Sequence, residues 1–365
     1  MTRRKRMQRR RAGPTALAGA YVGSVIGAGF ASGREHAAFF LRFGADGLLG
    51  LAAAGLMFTL FGAGLLRLAC RRRTQSHLEL LRALAAPRVA ALFDALLTAA
   101  LFVSLAVMIA GAGALVHARW GAPELAGRLG MALLTLAVAL LRVDAMLRAH
   151  AALAAVLAAL IAAMGISALP RALESGWPPA PVEHDWVPGH WAASAVLYGA
   201  YNLALTLTLF GALGSEIQDE REAAAGGAAG GAVLFLLGLC VCLAVAASLP
   251  GAGEPAVREI GEIPALPAAR RLGPWAEGAY SAAVGLAMLT TAVSSAYALA
   301  KRLAGASGQY RAWALAAVGA ALPLAGLGFG RLVGTLYPVI GYVGMGCLGL
   351  AALQWAGASR RKGRR

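Results

Sequence analysis

The chain has 365 residues, of which 59% are hydrophobic and only 14% charged, and its net charge is +16. A soluble protein of this length would hold roughly 25% charged residues, so the composition excludes a soluble globular domain. It also excludes a β-barrel, because the apolar runs are continuous and do not alternate from one residue to the next. The 33 Lys and Arg gather at both ends and in short segments between apolar runs. That distribution points to membrane topology and anionic lipid headgroups rather than to nucleic acid.

About 20 apolar residues cross a bilayer. Ten runs qualify as spans: residues 14–43, 46–68, 89–116, 125–142, 148–169, 191–215, 226–249, 275–301, 311–329 and 332–356. The chain opens on "MTRRKRMQRRR", but the apolar stretch behind it is too long and too interrupted for a cleaved signal peptide. It reads as a retained first helix. This first run is longer than a straight crossing needs, and it contains "SVIGAGFASGRE" at 24–35. Each glycine weakens a helix by about 1 kcal/mol relative to alanine. Gly23, Gly27, Gly29 and Gly33 form two small-xxx-small pairs. They suit close helix packing, or an unwound segment whose freed N–H and C=O groups an ion or solute satisfies. Arg34 and Glu35 follow at once, as a gating pair or, with His36, as a proton relay.

The fifth span contains no lysine. Two long loops, 169–191 and 249–275, hold Trp177, Trp186, Trp191 and Trp275, which suit the membrane–water interface. They serve as connectors or as an outer lid. The first of them divides the spans five and five. Five is odd, so the second half enters the membrane from the opposite side, the condition for an inverted repeat. The expected organisation is one transmembrane domain over 1–365, with five-helix repeats at 14–169 and 191–356 and basic tails at 1–11 and 357–365. An N-terminus in the cytoplasm puts 24 of the 33 Lys and Arg inside, so both termini are expected there. The acidic loop "SEIQDERE" at 215–222 also falls inside, but acidic residues contribute little to orientation.

The sixth span carries Tyr198, Gly199, Tyr201 and Asn202 within an apolar run. Repeat symmetry predicts a break here too, and Asn202 must find either a solute or a helix to bond. In the eighth span Thr290, Thr291, Ser294 and Ser295 cluster. Their hydroxyls either supply hard oxygens to an alkali cation or bond back to their own helix. The four cysteines, Cys70, Cys240, Cys242 and Cys347, have neither a metal spacing nor a disulfide framework.

"AYVGSVIGAGFASGREHAAFF" at 20–40 resembles the first-helix signature of the YkvI-type family of bacterial membrane proteins. That family resembles the amino acid–polyamine–cation superfamily, with its LeuT-like fold. "GSVIGAG" at 23–29 is similar to the unwound first helix of sodium-coupled members, "TAVSS" at 291–295 to their eighth-helix sodium motif, and "YNL" at 201–203 to their sixth helix. The resemblance implies an all-α fold of about ten transmembrane helices, arranged as a 5+5 inverted repeat with helices 1 and 6 broken. It implies Na⁺ as coupling ion and no organic cofactor. The ion would be held by the carbonyls of Gly23 and Ile26 and the oxygens of Thr291, Ser294 and Ser295. A substrate carboxylate would meet the backbone amides around Ala28 and Gly29, beside Ser24 and Gly27, with Tyr198, Tyr201 and Asn202 opposite. Ser24 stands where relatives carry an asparagine for a second ion, which counts against a second sodium site. The absence of a lysine in the fifth span favours sodium over protons.

These expectations describe a secondary transporter in the bacterial inner membrane, moving an amino acid or related solute by alternating access. A sensor that binds without transport, a passive channel and a proton-coupled transporter stay open beside it. The sequence has no HExxH or GxSxG, and its histidines are scattered, which counts against an enzyme.

Overall fold

The computed structural model describes residues 13–141, 144–174, 177, 186–249, 260–305 and 308–362. The basic tail at 1–11, Arg142 and most of both long loops lie outside the described residues. All regular structure among the described residues is helical. The first predicted span is three short helices, α1 (Pro14–Val25), α2 (Ala28–Ser32) and α3 (Arg34–Phe39), followed by a 3₁₀ turn at Leu41–Phe43. Then come α4 (Asp46–Arg72), α5 (His77–Leu84), α6 (Pro87–Trp120), α7 (Glu124–Leu141) and α8 (Asp144–Glu174). The second half comprises α9 (Trp191–Leu213), α10 (Glu220–Ala246), α11 (Leu266–Arg271), α12 (Pro274–Ala304), α13 (Tyr310–Ala325) and α14 (Phe329–Lys362).

Among the described residues seven helices, α4, α6, α8, α9, α10, α12 and α14, are long and apolar enough to cross a membrane by length and composition. The other three predicted spans are the broken α1–α3, the 18-residue α7 and the 16-residue α13. Helix ends follow local chemistry. Proline stands at the first position of α1, α6 and α12, where its missing N–H costs no hydrogen bond. At α5, Ser76 accepts from the Glu79 amide and the Glu79 side chain accepts from the Gln75 amide, which satisfies two donors that the helix start leaves open.

Glycines set the closest approach. An added Cβ at Gly227 would lie 2.4 Å from the Gly62 carbonyl oxygen, and one at Gly231 would lie 2.4 Å from the Thr59 nitrogen, so α10 packs on α4 at backbone contact. Gly226 and Gly230 make room for Leu17 and Tyr21 of α1. The docking is reciprocal across the two halves: α1 lies on α10, and α4 lies on α9. A second set, α6, α7, α12 and α13, packs together beside it, while α14 rests on α9 and α6.

The break in helix 1 is present and the break in helix 6 is not. The ladder of α1 ends where the Ile26 amide donates to the Val22 carbonyl at 2.9 Å. The Gly27 amide, which would continue it, turns back to the Val25 carbonyl at 2.7 Å, and the next ladder starts with Ala31 donating to Gly27 at 2.9 Å. By contrast α9 is continuous over 23 residues. Its polar side chains are absorbed locally: Asn202 donates to the Tyr198 carbonyl at 3.2 Å and Thr206 to the Asn202 carbonyl at 2.8 Å. With those bonds made inside the helix, nothing drives it to unwind.

Candidate functional site

The site is built where α1–α3 passes α8, α9, α12 and α14. Gly33 makes a second turn in the first span, with φ of +82°. A side chain there would be strained in this left-handed conformation, and its Cβ would sit 2.5 Å from Val245 Cγ2. Arg34 and Glu35 follow this turn as the first two positions of α3, and their side chains point in different directions. Arg34 reaches toward the segment before α11, donating to the carbonyls of Ile260 at 3.0 Å and Gly261 at 3.4 Å. It also packs against Gly330 at the start of α14. Glu35 turns the other way, into the protein, and is 4% exposed. The two residues expected as a gating pair therefore serve different places.

Inside, Tyr201 of α9 donates its hydroxyl to Glu35 Oε2. Tyr198 lies beside the same carboxyl, and Tyr337 of α14 packs on the Tyr201 ring. The rings of Tyr201 and Tyr337 are 4.9 Å apart, and those of Tyr198 and Tyr201 5.4 Å. Among the described residues Glu35 forms no ion pair. His36 is fully buried against the rings of Phe30 and Phe40, and neither of its nitrogens has a hydrogen-bond partner. No hydrogen bond joins it to Glu35 in a relay. The Tyr198 hydroxyl is unpartnered too. A buried polar group left unsatisfied costs about 1–3 kcal/mol, so these unpartnered atoms are a substantial local expense.

The sequence motifs meet this geometry unevenly. Tyr198, Tyr201 and Asn202 are buried in α9, and Tyr198 and Tyr201 pack against α3. Gly29 is indispensable to the arrangement: its missing Cβ would lie 1.9 Å from Glu35 Oε1. The chain's own carboxyl thus occupies the space that a side chain on residue 29 would need. Ser24 is exposed and donates to the Tyr21 carbonyl at 2.7 Å, 3.5 Å from the Thr206 hydroxyl. Tyr337 was not among the sequence candidates. Its one signal was a tyrosine preceding proline inside an apolar span.

On the other side of the break, Ile26 and Thr290 enclose a small space with Leu153, Ala154, Leu157 and Ala287. A Cβ on Gly23 would contact Ala154 Cβ at 3.3 Å. The α8 residues here are all uncharged. On α12, Thr290 is buried and donates to the Ala287 carbonyl at 3.0 Å, Thr291 is half-buried, Ser295 is buried and Ser294 is exposed. Thr290 rather than Ser294 faces the break, one residue from the register drawn from the sequence. Among the described residues, no cluster of His, Cys, Asp and Glu could hold a metal ion.

No family model matches the chain. It is 28% identical to the uncharacterized membrane protein YkvI of Bacillus subtilis (strain 168), over 98% of this chain and 99% of that one. Among solved structures it resembles MhsT in complex with L-phenylalanine, with a TM-score of 0.54 at 18% identity, covering 85% of this chain and 78% of that one. It also resembles the inward-facing conformation of Mhp1, with a TM-score of 0.55 at 12% identity and coverages of 91% and 73%. A third is a variant of the manganese transporter of Eremococcus coleocola, with a TM-score of 0.50 at 14% identity and coverages of 94% and 76%. This chain has the LeuT fold. Within the LeuT fold its first span is interrupted at Ile26–Gly27.

Proposed function

We propose that the protein is a secondary transporter of a small organic solute, an amino acid or a related nitrogen compound, working by alternating access and coupled to sodium. The observation that carries this reading is the interruption of the first span at Ile26–Gly27, inside a LeuT fold and opposite Thr290. An unwound segment at membrane depth is tolerated where it lines a binding place. Sodium suits the oxygens there. Ile26 and Thr290 line the same space, Gly23 lies against Ala154 beside it, and Thr291 and Ser295 follow Thr290 on α12. The solute place is the Glu35 side of the break. The charge distribution supports a bacterial cytoplasmic membrane with both termini inside and anionic headgroups against the basic segments.

The test is thermal unfolding of the purified protein in detergent, in sodium against potassium at equal ionic strength. A ligand that binds only the folded state raises the midpoint by mass action. A sodium-specific rise is expected, lost in Thr290→Val and kept in Ser294→Ala. Equal midpoints in the two salts, together with no sodium-driven uptake in proteoliposomes, would sink sodium coupling.

A further inference from the structure

The Glu35 site, at the meeting of α3, α9 and α14, holds a buried carboxyl that the described residues leave without a basic partner. Its walls are aromatic: Tyr198, Tyr201 and Tyr337 surround it, with His36 behind Tyr198 at a ring separation of 5.9 Å. The Tyr198 hydroxyl and both His36 nitrogens are fully buried without partners. Each can accept a hydrogen bond, Tyr198 through its oxygen and neutral His36 through one nitrogen. The space on the Cβ side of Gly29 is filled by the Glu35 carboxyl itself.

We propose that this site takes an organic cation without a carboxylate of its own, a primary or substituted amine. The proposal rests on the transporter reading for where the solute enters, and it narrows that solute to the amine side of its range. The ammonium group would pair with Glu35 and donate to the Tyr198 hydroxyl, with tyrosine faces around it. Aromatic faces and a carboxylate both attract positive charge, the first through the ring quadrupole. A carboxylate on the solute would instead meet the Glu35 carboxyl with no basic side chain between them, where two carboxyls cannot both ionise. A free amino acid satisfies half of the site and opposes the other half. A bare metal cation fits less well, because one carboxyl and three phenols offer few hard ligands, and the aromatic walls would go unused.

Three probes of one carbon skeleton separate the cases: 3-methylbutylamine, leucine and 4-methylpentanoate, which are cation, zwitterion and anion. The full-length protein in detergent is titrated with each and the unfolding midpoint is read. The amine is expected to raise the midpoint at millimolar concentration, with the other two at least tenfold weaker. Glu35→Gln should abolish the rise. Should Glu35→Gln fail to fold, Tyr198→Phe replaces it. That variant removes a hydroxyl with no partner, so its own midpoint should hold while amine affinity falls about tenfold. Leucine binding more tightly than the amine, an amine response unchanged in the variants, or no response to any probe would each overturn the proposal. The two readings fail separately. Amine binding without sodium-driven amine uptake in proteoliposomes keeps the cation site and removes transport. Sodium-driven leucine uptake keeps transport and removes the cation site.

Discussion

The first helix of each half starts from a similar sequence problem and solves it differently. Both runs put polar groups and glycine in the middle of an apolar span. In α9 the polar groups are Asn202 and Thr206, and both bond to carbonyls one turn back in the same helix. The helix stays whole. In α1–α3 the polar groups are backbone, and the ladder stops at Ile26, turns at Gly27 and bends again at Gly33. The contrast teaches that a polar residue in a span does not imply a break. What matters is whether the helix can satisfy the group by itself.

The four glycines of the first span are also unequal, and substitutions separate them. Gly33→Ala should have the largest effect. It combines a left-handed φ with a Cβ pressed on Val245 and on the Ala265 backbone, so a loss of roughly 2–4 kcal/mol is expected in denaturant unfolding. Gly29→Ala comes next. Its Cβ must displace the Glu35 carboxyl and break the Tyr201 bond. About 1–3 kcal/mol should be lost on unfolding, and solute binding should fall more than sodium binding. Asn202→Ala removes one back-bond from α9 and should cost about 1 kcal/mol. Helicity by circular dichroism should not change, and a clear loss would mean that α9 depends on Asn202 to stay unbroken. Gly27→Ala should be smallest, within about 0.5 kcal/mol of the parent. Its φ of −100° suits any residue, and a Cβ there meets nothing nearer than 4.0 Å. A large loss at Gly27 with little at Gly33 would invert the comparison between the two turns.

Much of the architecture was legible beforehand, because hydropathy and span length are local properties of the chain. All ten runs reappear as helical segments, and the excess length of the first did signal an interruption. The break expected in helix 6 came from symmetry, and symmetry does not see side-chain hydrogen bonds such as Asn202 to Tyr198. The α12 register drawn from "TAVSS" was one residue away from the side chain that faces Ile26. A hydroxyl-rich helix gives candidates on adjoining faces, and only its rotation in the bundle chooses among them. Arg34 and Glu35 are neighbours in sequence, yet as successive positions of α3 one points toward Ile260 and the other toward Tyr201.

The sequence by itself determined a polytopic helical membrane protein, the positions of its spans and the weakness of the first one. Those follow from the cost of exposing polar backbone to lipid and of placing glycine in a helix. Tertiary structure decided that Tyr337, far along the chain, joins Glu35, and that Thr290 faces the break. It also decided that the space beside Gly29 belongs to a carboxyl of the chain itself. Such meetings depend on how helices rotate and dock against one another, and close packing settles that only when all of them are in place.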